Sequence, residues 1–384
     1  MKWPPLALYV HLPWCVRKCP YCDFNSFKAP LKIDQDGYVR ALLADLDADL
    51  ERLAPRRVQS VFFGGGTPSL FSPEQLRRFL DEVGRRIELA PDCEVTLEAN
   101  PGTVEHAPFD EYRDGGITRV SLGVQSMDDR ALSVLGRVHD VAAAERAMRQ
   151  VAEAGFDSFN VDLMFALPEQ TPESAVTDVQ RVLAFNPPHV SYYHLTMEPG
   201  TLFAVRPPEG LPDADMAAEI ESAGQSALAG AGLDQYEVSA WARKGHACRH
   251  NLNYWRFGDY LGIGAGAHGK LTLARQGRII RVSKRRHPTD FIRRAGTAEA
   301  VDELRDVAGA ELLFEYMLNR LRLRRPITLD EAAEATGLAP ELFQAGLEKA
   351  QQKQLLRYDK TRGQVALTDL GWRFLSETQQ CFLP

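Results

Sequence analysis

The sequence predicts an α/β fold in which six strand–helix units build a parallel sheet, either open or curled toward a barrel, with a smaller module appended. Three observations carry this. Short β-branched or aromatic runs recur as "LALYVHL", "VQSVFFGGG", "CEVTLEANP", "ITRVSLGVQS", "DSFNVDLMFALP" and "HVSYYHLTMEPG", the composition of buried strands. The stretches between them, such as "YVRALLADLDADLERL", "PEQLRRFLDEVGRRI" and "DVAAAERAMRQVAEAG", space apolar residues by three and four, as helices covering a parallel sheet do. From about Asp306 the period changes to helices followed by two short strands.

Taken in order, each strand hands over to polar or glycine residues: Cys15 after the first, then Gly64–Thr67, Glu98, Gln125, Asp162 and Thr196. Barrel and doubly wound enzymes place their sites at these carboxyl ends, and a hydrophobic core gives no reason for the recurrence. In the last segment "AGAELLFEYMLNRLRL", "TLDEAAEATGL" and "PELFQAGLEKAQQKQ" read as helices, and "LLRYDK", "QVALT" and "DLGWRFLSETQQ" as a hairpin and a final helix. The expected division is a sheet core over residues 1–240, a junction over 241–305 and a C-terminal module over 306–384. That module resembles a winged helix. Its segment "PELFQAGLEKAQQK", at the position of a recognition helix, carries two lysines and no arginine, too few phosphate contacts for reading DNA.

At 384 residues and 45% hydrophobic content, the chain can bury one large core and a smaller one. The opening "MKWPPLALYVHLPW" has only a short apolar run, and no stretch of about eighteen apolar residues occurs, so neither signal peptide nor membrane span is expected and the expected location is cytoplasmic. A net charge of −7 argues against a general nucleic-acid binder, which neutralises phosphates with clustered Lys and Arg. The basic stretch Lys270–Arg294 is the local exception.

Three of the six cysteines fall within "HLPWCVRKCPYCDF", residues 11–24. In a reducing compartment such a cluster reads as metal-binding or redox chemistry, while Cys93, Cys248 and Cys381 read as spare or buried thiols. Zinc would want a fourth ligand, and His11 lies inside the predicted strand. A 4Fe–4S cubane held by Cys15, Cys19 and Cys22 leaves one iron open to a further ligand.

Cys15-x3-Cys19-x2-Cys22, with Tyr21 before the last cysteine and "FGGGTPS" after the next helix, resembles the radical S-adenosylmethionine (SAM) superfamily. The resemblance implies a partial (β/α)6 barrel, a 4Fe–4S cluster and SAM chelated at its open iron. The closer resemblance is to the oxygen-independent coproporphyrinogen III oxidase branch. It implies a cluster-proximal tyrosine at Tyr9 and SAM contacts from Tyr21, Gly65, Gly66, Thr67, Glu98, Gln125, Arg137 and Asp162, with Thr196 at the end of the sixth strand. The chemistry agrees: carboxylates suit ribose hydroxyls or an ammonium, an amide suits ribose or carboxylate, and a guanidinium suits a carboxylate. Singly, Glu98 or Gln125 is equally readable as a satisfied structural group.

One departure redirects the reading. The oxidases carry a further cysteine two residues after the third, and here that position is Phe24. No cluster ligand is lost, but the chain moves toward the heme-chaperone relatives, whose H-N-x-x-Y-W motif "HNLNYW" resembles, with "GIGAGAHGK" following. The resemblance makes His250, Tyr254 and Trp255 heme contacts, with an imidazole for the iron and aromatic surface for the macrocycle; a structural His250 is the alternative. His268 is assigned to the edge of the SAM site or to heme. Two functions follow. One is a heme chaperone that passes heme to an acceptor hemoprotein such as a membrane respiratory enzyme, with an electron donor serving the cluster. The other is a radical SAM oxidoreductase that makes protoporphyrinogen IX. Phe24 and the HNxxYW stretch favour the chaperone, and no nucleic-acid partner is expected.

Replacing Cys15, Cys19 or Cys22 with Ala abolishes the thiolate-to-iron absorbance of the anaerobically reconstituted protein, and replacing Cys93, Cys248 or Cys381 leaves it. The assignment fails if the second set proves essential.

Overall fold

The computed structural model describes residues 1–102 and 107–384. Its strands in chain order are β1 (Leu6–Leu12), β2 (Trp14–Cys15), β3 (Phe27–Lys28), β4 (Val58–Gly65), β5 (Leu89–Ala99), β6 (Arg119–Gln125), β7 (Ser158–Phe165), β8 (His189–His194), β9 (Asp234–Glu237), β10 (Ala240–Ala242), β11 (Asp259–Ile263), β12 (His268–Leu273), β13 (Arg278–Lys284), β14 (Val301–Val307), β15 (Ile327–Thr328), β16 (Leu356–Asp359) and β17 (Gln364–Leu367). The six predicted runs are β1 and β4–β8. They lie side by side in chain order within a twelve-stranded sheet, β14-β13-β12-β11-β1-β4-β5-β6-β7-β8-β10-β9.

From β11 to β8 the strands are parallel, and antiparallel strands extend both edges. Parallel strands covered on both faces are apolar along their length: Leu6, Leu8, Val10 and Leu12 of β1 are all buried. Helix starts are written locally. Asp34, Ser72, Asp128, Asp140, Thr171 and Asp213 each accept the backbone N–H three residues on, relieving donors that the first helical turn leaves open.

The segment 241–305 departs from a plain junction. It supplies β11, a parallel partner of β1, followed by the meander β12–β14. In its glycine run a Cβ on Gly262 would collide with the carbonyl of His268; the glycines permit close strand approach. The basic stretch inside it is largely neutralised. Lys284 is buried between Asp45 (2.6 Å) and Asp49 (2.8 Å), Arg281 pairs with Glu315 at 2.6 Å, and Arg278 pairs with Asp306 at 2.8 Å.

Beyond β14, helices Gly309–Arg320, Leu329–Thr336 and Gln344–Gln352 enclose a second apolar core with Tyr316, Phe343 and Leu347, beside the sheet β15-β17-β16. This is the winged-helix order. The single predicted last helix is two short ones, Asp369–Arg373 and Leu375–Gln380, broken at Phe374. Among the described residues no helix is long and apolar enough to cross a membrane.

Candidate functional site

The cysteine loop is pinned at its feet. Strands β2 and β3 form a parallel bridge, Trp14 with Phe27 and Cys15 with Lys28, and Ala29 N donates to Cys15 O at 2.8 Å. The glycine turn after β4 crosses the same root: Gly66 N donates to Leu12 O at 2.8 Å and Thr67 N to Trp14 O at 2.7 Å. A Cβ on Gly66 would stand 2.5 Å from Trp14 O, and Gly65 holds φ +114°, so packing alone requires glycine at both positions.

Cys15, Cys19 and Cys22 are all half-buried on this loop. Burial pushes the Cys15 and Cys22 thiols up from the ordinary range, while Arg137 Nη1 donates to Cys19 Sγ at 3.6 Å. Among the described residues no three His, Cys, Asp or Glu side chains are already closed around a metal position. The donor chemistry nevertheless fits a thiolate-held cluster: three thiols on one anchored loop, with a guanidinium against one of them.

Below the loop, consecutive parallel strands present polar ends. Glu98 of β5 accepts from Gly65 N at 3.2 Å. Gln125 ends β6 with φ 75°, a conformation that costs a non-glycine residue energy, and its side-chain carbonyl accepts from Tyr193 Oη at 2.6 Å. Asp162 of β7 accepts from Asn160 Nδ2 at 2.7 Å and from Ser121 Oγ at 3.4 Å. Arg137 donates to Gly123 O at 2.5 Å and keeps a buried Nε without a partner among the described residues. Burial, then the nearby Asp162 carboxylate, pushes the Glu98 carboxyl up to about 8. Burial likewise raises Tyr21 and Tyr9, with Glu98 acting on Tyr9. A buried carboxyl with one hydrogen bond, an orphaned guanidinium nitrogen and a strained amide suit a zwitterionic, hydroxyl-bearing ligand such as SAM. Thr196 is exposed on the loop after β8 and donates to Glu198 at 2.7 Å.

Tyr9 and His11 also line a neighbouring cavity of about 680 Å3, with Phe24, Tyr254, Tyr260 and His268. The HNxxYW side chains separate here. His250 is 1% exposed; its Nδ1 meets Ser60 Oγ at 3.0 Å and its Nε2 meets Tyr254 Oη at 3.2 Å. Burial, then Arg119, lowers its pKa to about 3. With both nitrogens engaged, His250 has the contacts of the structural alternative and offers no open nitrogen to an iron. Trp255 lies under the Arg322 guanidinium, 4.2 Å from its ring centre. Of the three, Tyr254 lines the cavity.

The sequence reading missed Tyr193, which fixes Gln125, and Ser121 and Asn160, which fix Asp162. Period-two alternation was the available signal, since Asn160 and Asp162 share one face of β7. It also missed Tyr260 and Asn25, because β11 and the end of the cysteine loop meet only through the sheet.

The raised Glu98 pKa fixes a sign. The folded chain holds a proton that the unfolded carboxyl releases above about 4.3, so its contribution to stability is present at low pH and lost as pH rises toward about 8. In ligand-free protein, Glu98→Gln therefore matches wild type in urea midpoint near pH 4 and exceeds it near pH 8.5. Equal differences at both pH values contradict this environment for Glu98.

A radical SAM superfamily model matches residues 9–182, and a HemN C-terminal domain model matches residues 307–374. The chain is 45% identical to Heme chaperone HemW of Escherichia coli over 100% of this chain and 99% of that protein. It is 36% identical to Heme chaperone HemW of Mycobacterium tuberculosis over 86% and 84% of the two chains. The solved structure of coproporphyrinogen III oxidase (HemN) from Escherichia coli superimposes with a TM-score of 0.83 at 21% identity, covering 99% of this chain and 90% of that one. That likeness establishes the fold. With the cysteine loop, the strand-end polar groups and full-length identity in agreement, the chain belongs to the HemW family within the radical SAM superfamily.

Proposed function

We propose that this protein is a heme chaperone that binds heme beside its SAM-liganded 4Fe–4S cluster and passes it to an acceptor hemoprotein. The reading is carried by 45% identity across the whole chain to a protein named Heme chaperone HemW. The site supports it. At the position where the oxidases carry a further cysteine stands Phe24, 59% exposed and lining the cavity next to the cysteine loop. An exposed aromatic ring suits a flat macrocycle.

Within this reading Cys15, Cys19 and Cys22 hold the cluster. Glu98, Gln125, Arg137 and Asp162, with Tyr9, Tyr21, Gly65, Gly66 and Thr67 around them, receive SAM. When bound, the cluster supplies a redox-active iron site open to the amino acid part of SAM. The chain's own groups orient that ligand. Arg137 spans from Cys19 to Gly123 O, tying the cluster loop to the end of β6, and Tyr193 locks the Gln125 amide. Removing the Glu98 carboxyl deletes a hydrogen-bond partner of the ligand, a loss of ~0.5–1.5 kcal/mol or roughly 2- to 10-fold in SAM affinity. Cluster transfer chemistry draws on an electron donor, and the heme acceptor is a hemoprotein, both separate from this chain.

The test is anaerobic and has two arms. Reconstituted protein develops a Soret band with heme and hands heme to an apo-hemoprotein faster than heme dissociates into solution. Given coproporphyrinogen III, SAM and reductant, it forms no protoporphyrinogen IX. Turnover without heme binding overturns the chaperone reading and installs the oxidoreductase one.

A further inference from the structure

We propose that the cavity beside the SAM site is the heme seat and that His268, rather than His250, ligates the heme iron. This rests on the heme-binding reading above and adds to it the ligand and the orientation of the cargo.

The cavity holds about 680 Å3, inside the ~300–1,000 Å3 range of cofactor sites. Of its lining, Tyr9, Phe24, Tyr254 and Tyr260 offer aromatic surface, with Tyr254 and Tyr260 fixed edge to face at 4.3 Å between ring centres. A macrocycle needs such walls and an imidazole with a free nitrogen.

The histidines near the cavity are not equivalent. His250 spends both nitrogens on Ser60 and Tyr254. His11 spends both on Tyr9 Oη at 3.0 Å and Asn25 O at 2.9 Å. His268 opens β12, is exposed, lines the cavity, and its ring makes no hydrogen bond among the described residues. Burial, then Arg281 and Arg286, holds its pKa below the ordinary histidine value. At neutral pH it therefore presents the uncharged imidazole that iron requires.

Among the described lining residues the propionates have one available cation. Lys284 reaches the lining but is committed to Asp45 and Asp49. Arg286 also lines the cavity; it donates to Asn25 Oδ1 at 3.4 Å and forms no ion pair among the described residues. Its guanidinium is free for a carboxylate, while two of the three lining carboxylates are already answered, Asp302 by Arg285 at 3.0 Å and Glu303 by Arg305 at 3.5 Å.

Titration of hemin into the reconstituted full-length protein tests this, with wild type, His268→Ala, His250→Gln and Arg286→Glu in parallel. Thermal melts and cluster absorbance verify that each is folded. The expected result for His268→Ala is a shifted Soret band with at least tenfold weaker binding, and restoration of the wild-type band by added imidazole. His250→Gln keeps the wild-type band, and Arg286→Glu weakens binding without moving it. Wild type that binds heme while folded His268→Ala shows the same band and affinity overturns the ligand assignment and leaves the chaperone reading standing. Wild type that binds no heme overturns both.

Discussion

The site depends on one close approach between two backbones. The glycine turn after β4 passes against the peptide of Trp14 so tightly that any side chain at Gly66 would meet the Trp14 carbonyl at 2.5 Å, and two hydrogen bonds hold the crossing. This fixes the root of the cysteine loop over the carboxyl ends of β4 and β5. Because β1 is the strand between β4 and β11, the same anchor sets the cavity on the other side. Tyr9 and His11 leave β1 toward that cavity while Cys15 leads from its end into the thiol loop. One strand therefore serves both compartments.

The electrostatics separate what holds the fold from what awaits a ligand. Asp259, fully buried, is answered by Arg56 at 2.7 Å, Lys270 at 3.0 Å and Thr272 Oγ1 at 2.8 Å; Lys284 is answered by two aspartates. In these two networks each buried carboxylate or ammonium meets an opposite charge. At the strand ends the accounts stay open. Glu98 sits near Asp162 with a carboxyl pushed up to about 8, Gln125 is held at a positive φ, and Arg137 keeps an unpaired nitrogen. Ligand sites carry this kind of retained strain and incomplete pairing.

Much of this is legible in the sequence, for a physical reason. Strands buried on both faces read as continuous apolar runs, and a side chain placed just after such a run lands at the carboxyl edge whatever the loop does next. Cys15, Glu98 and Gln125 are legible on that ground, whereas Asp162 lies inside β7, three residues before its end. Local signals fail where long-range pairing decides. The 241–305 segment reads as a junction carrying a motif, because nothing nearby shows that β11 pairs with β1 some 250 residues earlier. The fate of His250 is hidden in the same way. Its neighbours in the chain are aromatic, but its partners include Ser60 and the Phe62 ring, 4.9 Å away between ring centres, from a strand that sequence proximity does not associate with it. His268 shows the converse, a histidine among small residues whose exposure to a cavity arises only when β12 folds back on β11.

Family membership and the cavity thus meet at one anatomical point, the loop that ends in Phe24. The HemW relatives and this chain share full-length similarity, and coproporphyrinogen III oxidase has the same fold. The backbone crossing is tested most directly by anaerobic iron–sulfur reconstitution of Gly66→Ala beside Gly84→Ala, whose added methyl meets nothing within 4 Å. The account predicts that Gly84→Ala takes up a full cluster and that Gly66→Ala, with all three thiols intact, takes up far less. A Gly66→Ala protein that holds iron and sulfide at wild-type stoichiometry would contradict it.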